Sequence, residues 1–112
     1  MNISYDGIGY LAVTMPARGC VKGHVCTLNA TGEAVSCTSG GMFCGVVEAE
    51  NNFSASVQLE GFVEVSYSGS EPTAGLVNLA ANGTGGVAVN SNGRVYLVVS
   101  VDTDAKKIVM KL

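Results

Sequence analysis

From Val57 to Ser68 the chain alternates without a break. Val57, Leu59, Gly61, Val63, Val65 and Tyr67 fall in one phase, and Gln58, Glu60, Phe62, Glu64, Ser66 and Ser68 in the other. A period of two is that of a half-buried strand, because successive side chains on a strand point to opposite faces. Shorter segments of the same kind recur along the chain, and helical periodicity occurs almost nowhere. Turn clusters cut them apart: "ATGE", "TSGG", "AENN", "SGSEPTAG", "ANGTGG", "NSNGR" and "DTDAK". Strands are therefore predicted at 9–15, 24–28, 34–37, 43–48, 55–67, 76–80, 87–90, 94–102 and 107–112. Asn92-Gly93, between two apolar runs, is the strongest short hairpin signal. "MPARGC" is compatible with a strand end or with one helical turn.

Short strands at regular intervals predict an all-β fold with little or no helix, a small closed or partly closed β-barrel. With 112 residues there is room for one core and one domain, 1–112, whose first twenty residues are an N-terminal arm or a first strand. Few residues are charged (13%), and glycine, valine and other small or β-branched residues dominate, which argues against disorder.

The chain also repeats itself. Sliding it by 52 positions aligns 22–60 with 74–112 without a gap. Eight identical pairs result: Gly23/Gly75, Val25/Val77, Val35/Val87, Ser39/Ser91, Gly41/Gly93, Val46/Val98, Val47/Val99 and Val57/Val109. Composition this biased yields roughly three by chance. Two similar β units, about 22–60 and 74–112, are expected to close on each other and hide their sheet edges. The acidic residues Glu50 and Asp102 mark equivalent turns. Within the long strand, Gly61 is expected to allow a bend or bulge at a barrel corner.

No constellation reads as catalytic, cofactor-binding or metal-binding, and the chain is not expected to be an enzyme. His24, the one histidine, aligns with Leu76 at the repeat offset, which favours packing over catalysis. A dyad with Cys20 or Cys26 has no group to orient the imidazole. The four cysteines, Cys20, Cys26, Cys37 and Cys44, contain no C-x-x-C pair. They are expected as buried free thiols rather than disulfides or zinc ligands. Glu48 with Glu50 and Glu60 with Glu64 read as solvated strand faces, and Asp102 with Asp104 as a turn whose carboxylates satisfy backbone donors. "NGTGGVAVNSNG" lacks the lysine and following helix of a phosphate loop.

Net charge is −3, and Lys106, Lys107 and Lys111 form the only basic cluster. Nucleic acid is thus not an expected partner. The N-terminus lacks the basic region and apolar core of a secretory signal, and no run approaches the roughly 20 apolar residues that span a bilayer. Synthesis inside the cell, no membrane partner and no small-molecule substrate are expected, which leaves a structural or binding role.

The succession "G-x-V-x-x-L" (from Gly23), "GVVEAE", "SASVQLEGFVEV", "AGLVNL", "NGTGG" and "VVSVD…IVMKL" resembles the small capsid cement, or head decoration, proteins of tailed bacteriophages. The family's "G-V" strand end matches Gly45-Val46, and its short acidic loop matches Glu48 to Asn52. Its glycine-centred strand matches Val57, Gly61, Val63 and Val65. "TAGLVNL" matches the turn that follows, with Val77 one place early, and 94–102 with 107–112 match the closing strand pair. The resemblance covers roughly residues 20–112, and the four cysteines depart from it.

The resemblance implies a non-enzymatic subunit, in many cases a homotrimer, on the outer capsid surface of the virion. Such a subunit binds the major capsid protein and braces the head against internal DNA pressure. It also implies an N-terminal capsid-contact arm, which falls at Asn2, Ile3, Ser4 and Tyr5. The other reading is a small β-barrel carbohydrate- or peptide-binding module of a bacterial surface protein. That role requires an exposed aromatic platform drawn from Tyr5, Tyr10, Tyr67, Tyr96, Phe43, Phe53 and Phe62.

Overall fold

A computed structural model describes residues 9–112; the arm residues Asn2, Ile3, Ser4 and Tyr5 lie outside the described residues. Ten strands and no helix account for the regular structure among them. They are β1 (Leu11–Arg18), β2 (Val25–Leu28), β3 (Ala34–Ser36), β4 (Gly45–Glu50), β5 (Ser54–Glu60), β6 (Phe62–Ser68), β7 (Gly75–Ala81), β8 (Val87–Val89), β9 (Arg94–Asp102) and β10 (Lys107–Lys111). The "MPARGC" segment holds no helical turn: Met15 to Arg18 finish β1. Pro16 is tolerated there because β3 meets β1 only at Ala17 and Arg18, so the missing N–H faces no partner.

The all-β class, the closed sheets and the two similar units are as the sequence indicates. Closure, however, happens within each unit. Strands β1-β3-β2-β4-β5 form one closed barrel and β10-β6-β8-β7-β9 a second. Each unit runs the same course. Its first strand pairs in parallel with the third and antiparallel with the fifth. A unit of five short strands whose first and last strands are neighbours has no edge left for its sister to complete.

The alternating run 57–68 is two strands, and Gly61 is the break. Its φ of 102° lies where side chains are rarely found. A Cβ there would also stand 3.1 Å from the Cα of Tyr10. The chain leaves the first barrel at Glu60 and enters the second at Phe62. Gln58, a buried polar side chain, latches this joint by donating from Nε2 to the carbonyls of Glu60 (3.1 Å) and Phe62 (3.0 Å). The Leu112 N–H adds a bond to the carbonyl of Gly61 at 2.9 Å. Replacing Gln58 by leucine removes this donor from the two carbonyls, and urea denaturation is expected to show a loss of about 1–3 kcal/mol. An unchanged midpoint would mean that water already satisfies them.

Asn92-Gly93 does not make a hairpin. Strand β8 pairs with β6 and β7, whereas β9 lies on the other side of β7. The type I′ turn that Asn-Gly favours needs positive φ at both central residues, and neither residue has it. Instead the chain crosses the end of β7, with Gly93 so close over the Leu79 carbonyl that no Cβ fits. The hairpins are β2–β3, β4–β5, β7–β8 and β9–β10.

Two cores result. Ala17, Cys26, Ala34, Val47, Ala55 and Val57 fill the first barrel with small side chains. The second is larger, with Val65, Tyr67, Leu79, Val87, Tyr96, Ile108 and Met110 among its members, and it also takes in Val25, Phe43 and Val46 from the first unit. In the second unit β9 starts directly after Gly93. In the first, Met42-Phe43-Cys44 intervenes between Gly41 and β4. That extra segment reaches across: Phe43 stacks on Tyr96, with ring centroids 5.0 Å apart and 10° between planes. Beside it, Gly40 N–H and Gly41 C=O bond Ala81 on β7. The β7–β8 turn returns the contact, since the Val25 N–H donates to the Gly85 carbonyl at 2.9 Å.

Candidate functional site

Among the described residues, those singled out from the sequence fall as follows. His24 packs on the β7–β8 turn, where a Cβ at Gly85 would overlap its ring. "NGTGG" is that turn; Gly83 and Gly85 allow close approach to Ser39 and His24 of the first unit, and Gly86 to Ser66 of its own barrel. Asp102 ends β9 as Glu50 ends β4, and Asp102 Oδ1 accepts the N–H groups of Asp104 and Ala105. Lys107 meets Glu64 at 3.7 Å on an exposed strand face. The acidic loop expected at Glu48 to Asn52 is shorter than that, because β4 continues to Glu50. It does so through a bulge at Glu48, where the register against β5 shifts.

Glu48, on the bulge, is held by two hydroxyls. It accepts from the Ser56 hydroxyl at 2.6 Å and from the Tyr10 hydroxyl. These bonds, Ser56 first, hold its carboxyl below the usual range. The same contact raises the Tyr10 hydroxyl above its ordinary value. A depressed carboxylate contributes stability above its unfolded pKa of about 4.3 and loses it as pH falls through the lower folded value. Glu48→Gln is therefore expected to show a shallower fall of melting temperature below about pH 4.3 than the parent. Parallel acid limbs would remove this contact from the account.

Four thiols are unpaired and lie in or beside the first barrel: Cys26 buried, and Cys20, Cys37 and Cys44 half-buried. Among the described residues no group of three or more His, Cys, Asp or Glu is arranged to hold a metal ion. A groove of about 410 Å³ runs between Ala17, Gly19, Cys20 and the Glu50–Asn52 turn. Two of its polar side chains are already engaged: Asn51 Oδ1 accepts from the N–H groups of Phe53 and Ser54, and Glu50 from the N–H of Lys22.

Sequence reasoning missed the exposed sheet face of the second barrel. Leu76 pairs directly with Leu97, and Asn78 with Val95, so these four share one outward face of β7 and β9. Leu76 is 77% exposed, Val95 52% and Leu97 38%. The signal was present as "RVYLVV": in an alternating strand, Tyr96 and Val98 inward force Val95 and Leu97 outward. The expected aromatic platform is sparse. Tyr67, Tyr96 and Phe43 are core residues, and Phe53 (83% exposed) and Tyr10 stand at opposite ends of β5. At about 3.3 Å per residue this separates them by roughly 20 Å.

No family model, curated protein or solved structure matches this chain. Functional argument therefore rests on the sequence motifs and on these surfaces. No helix among the described residues is long and apolar enough to cross a membrane.

Proposed function

We propose that this chain is a non-enzymatic structural protein of a tailed bacteriophage that binds the outer capsid surface and stabilises the head. On this reading it is made in the bacterial cytoplasm and resides on the virion exterior. Its partners are the major capsid protein and further copies of itself in a trimer, with no cofactor, nucleic acid or membrane required. The resemblance of the motifs from Gly23 to Leu112 brings this class forward. The observation that carries it is the unpartnered apolar face of Leu76, Val95 and Leu97.

The magnitudes favour many weak contacts over one strong one. Burying these three side chains yields on the order of 3 kcal/mol, which is less than the freedom lost when two proteins associate. A single copy would hold poorly by this face. A trimer engaging three such faces on a repeating lattice gains by effective concentration. Closed barrels suit the role, since they offer rigid area with few edges open to wrong pairing. The surface-module alternative needs a platform of neighbouring rings, which Phe53 and Tyr10 are too far apart to form.

Sedimentation with emptied, expanded capsids tests the face. The parent chain is expected to co-sediment, and Leu76→Glu with Leu97→Glu to cut occupancy at least tenfold. Thr103→Glu, on the exposed β9–β10 turn, should leave it unchanged. Equal occupancy for the Leu76/Leu97 variant would exclude this face, and no binding by the parent would exclude the role.

A further inference from the structure

Cys26 lies on β2 in register with Gly45, the first residue of β4. Cys44, the residue just before, donates its backbone N–H to the Cys26 carbonyl at 2.8 Å. The two thiols are near enough for each to shift the titration of the other. Cys44 is one place off the residue directly opposite Cys26, a diagonal that puts the two Cα atoms roughly 6 Å apart. That falls inside the roughly 4.4–6.8 Å that a disulfide spans.

The two thiols differ in surroundings. Cys26 is packed among Ala17, Ala34, Val47, Ala55 and Val57, while Cys44 is half-buried at the barrel end. The contact with Cys26 lowers the Cys44 thiol below its ordinary value despite burial, and raises that of Cys26. Burial pushes Cys37 up to about 11 and raises Cys20, whose Sγ donates to the Ala34 carbonyl at 3.1 Å. Of the four, Cys44 alone combines access with a thiolate favoured near neutral pH.

We propose that Cys44 and Cys26 form a thiol–disulfide exchange site for low-molecular-weight disulfides, with Cys44 as the attacking thiol and Cys26 as the resolving one. The Cys44 thiolate attacks one sulfur of oxidised glutathione. A Cys44–glutathione bond forms, the glutathione S–S bond breaks, and one glutathione leaves as a thiolate that takes a proton from water. Cys26 then loses its proton to solvent and attacks the Cys44 sulfur. The Cys26–Cys44 bond forms and the second glutathione departs. Two protein thiols are thereby oxidised by two electrons, and one oxidised glutathione is reduced to two thiols.

The bond would close the segment 26–44, which holds β3 and the crossing that carries Phe43 to Tyr96 and Gly40 to Ala81. Oxidation would therefore fix the joint between the barrels.

The test incubates the full chain with oxidised glutathione at about pH 7.5, where a lowered thiol is largely ionised, and then digests it without reduction for mass spectrometry. One cross-link, Cys26 to Cys44, is expected, with loss of two hydrogens from the intact chain and a melting temperature higher by roughly 5–10 °C. Cys26→Ala lacks the resolving thiol and the group that lowers Cys44. It is expected to take glutathione on Cys44 more slowly than the parent but to retain it, and Cys44→Ala to take none on Cys26. Four free thiols after incubation, a parent that stops at the mixed disulfide, or a cross-link through Cys20 or Cys37 would each overturn the proposal. So would glutathione on Cys26 in Cys44→Ala.

Discussion

Phe43→Ala is expected to lower the free energy of unfolding by about 3–5 kcal/mol, the range for removing a fully packed aromatic side chain. Phe43 belongs by sequence to the first unit, yet it sits in the core of the second, 4% exposed and stacked on Tyr96. Its removal leaves a void between the barrels that neither can fill. Far-UV circular dichroism in urea reads the change as a lower midpoint. Val25 and Val46 still pack into the second core and Gly40, Gly41 and Ala81 still bond across the joint, so the contact is weakened. The variant is expected to broaden toward two transitions as the barrels uncouple. An unshifted midpoint would show that Phe43 contributes no net packing.

The second large effect is at Gly85. Its φ of 97° already disfavours any side chain, and a Cβ would overlap the His24 ring at its root, where rotation about the terminal bonds gives no relief. Backbone strain of about 1–2 kcal/mol and overpacking of about 1–3 kcal/mol combine, so Gly85→Ala is expected to lose roughly 3 kcal/mol. The two causes separate in a double-mutant cycle. On a His24→Ala background the steric part vanishes, and Gly85→Ala should then cost only the backbone share. Equal costs on both backgrounds would mean that the ring and the turn do not press on each other.

Much of the fold was legible because a period of two survives in any register. Every predicted strand has an observed counterpart, and the run 94–102 matches β9 residue for residue. Register was not legible, since a one-residue slip moves every side chain to the other face. The gapless offset of 52 shows this. It holds at the turns Thr38–Gly41 and Asn90–Gly93, where Gly41 bonds Thr38 as Gly93 bonds Asn90. In the strands it slips: buried Val57 pairs with Val13 as buried Met110 pairs with Val63, so β5 and β10 are offset by 53 while β1 and β6 are offset by 50.

An overlooked signal would have fixed the offset of 53. Asn29-x-Thr31-Gly32 and Asn82-x-Thr84-Gly85 are 53 apart, and both build the same turn. Asn29 Oδ1 accepts from Thr31 N, Thr31 Oγ1 and Glu33 N, and Asn82 Oδ1 from Thr84 N, Thr84 Oγ1 and Gly86 N. These asparagines are turn-formers first. Other features carry no local mark at all. Phe43 reads as an ordinary core residue until the crossing over β2 brings it to Tyr96. Cys26 and Cys44 are 18 positions apart, and only the pairing of β2 with β4 makes them neighbours. The break at Gly61 was visible as a mid-strand glycine, but a bend within one barrel and a joint between two leave the same trace in the alternation.

The role on the capsid is tested most directly on particles. Phage induced from the source organism would be purified as intact virions, and this chain quantified against the major capsid protein by mass spectrometry. The account predicts a fixed stoichiometry, near one copy per capsid subunit or a simple lattice fraction of it, because a repeating surface offers the same face to every trimer. Virions that carry the major capsid protein and lack this chain would contradict it.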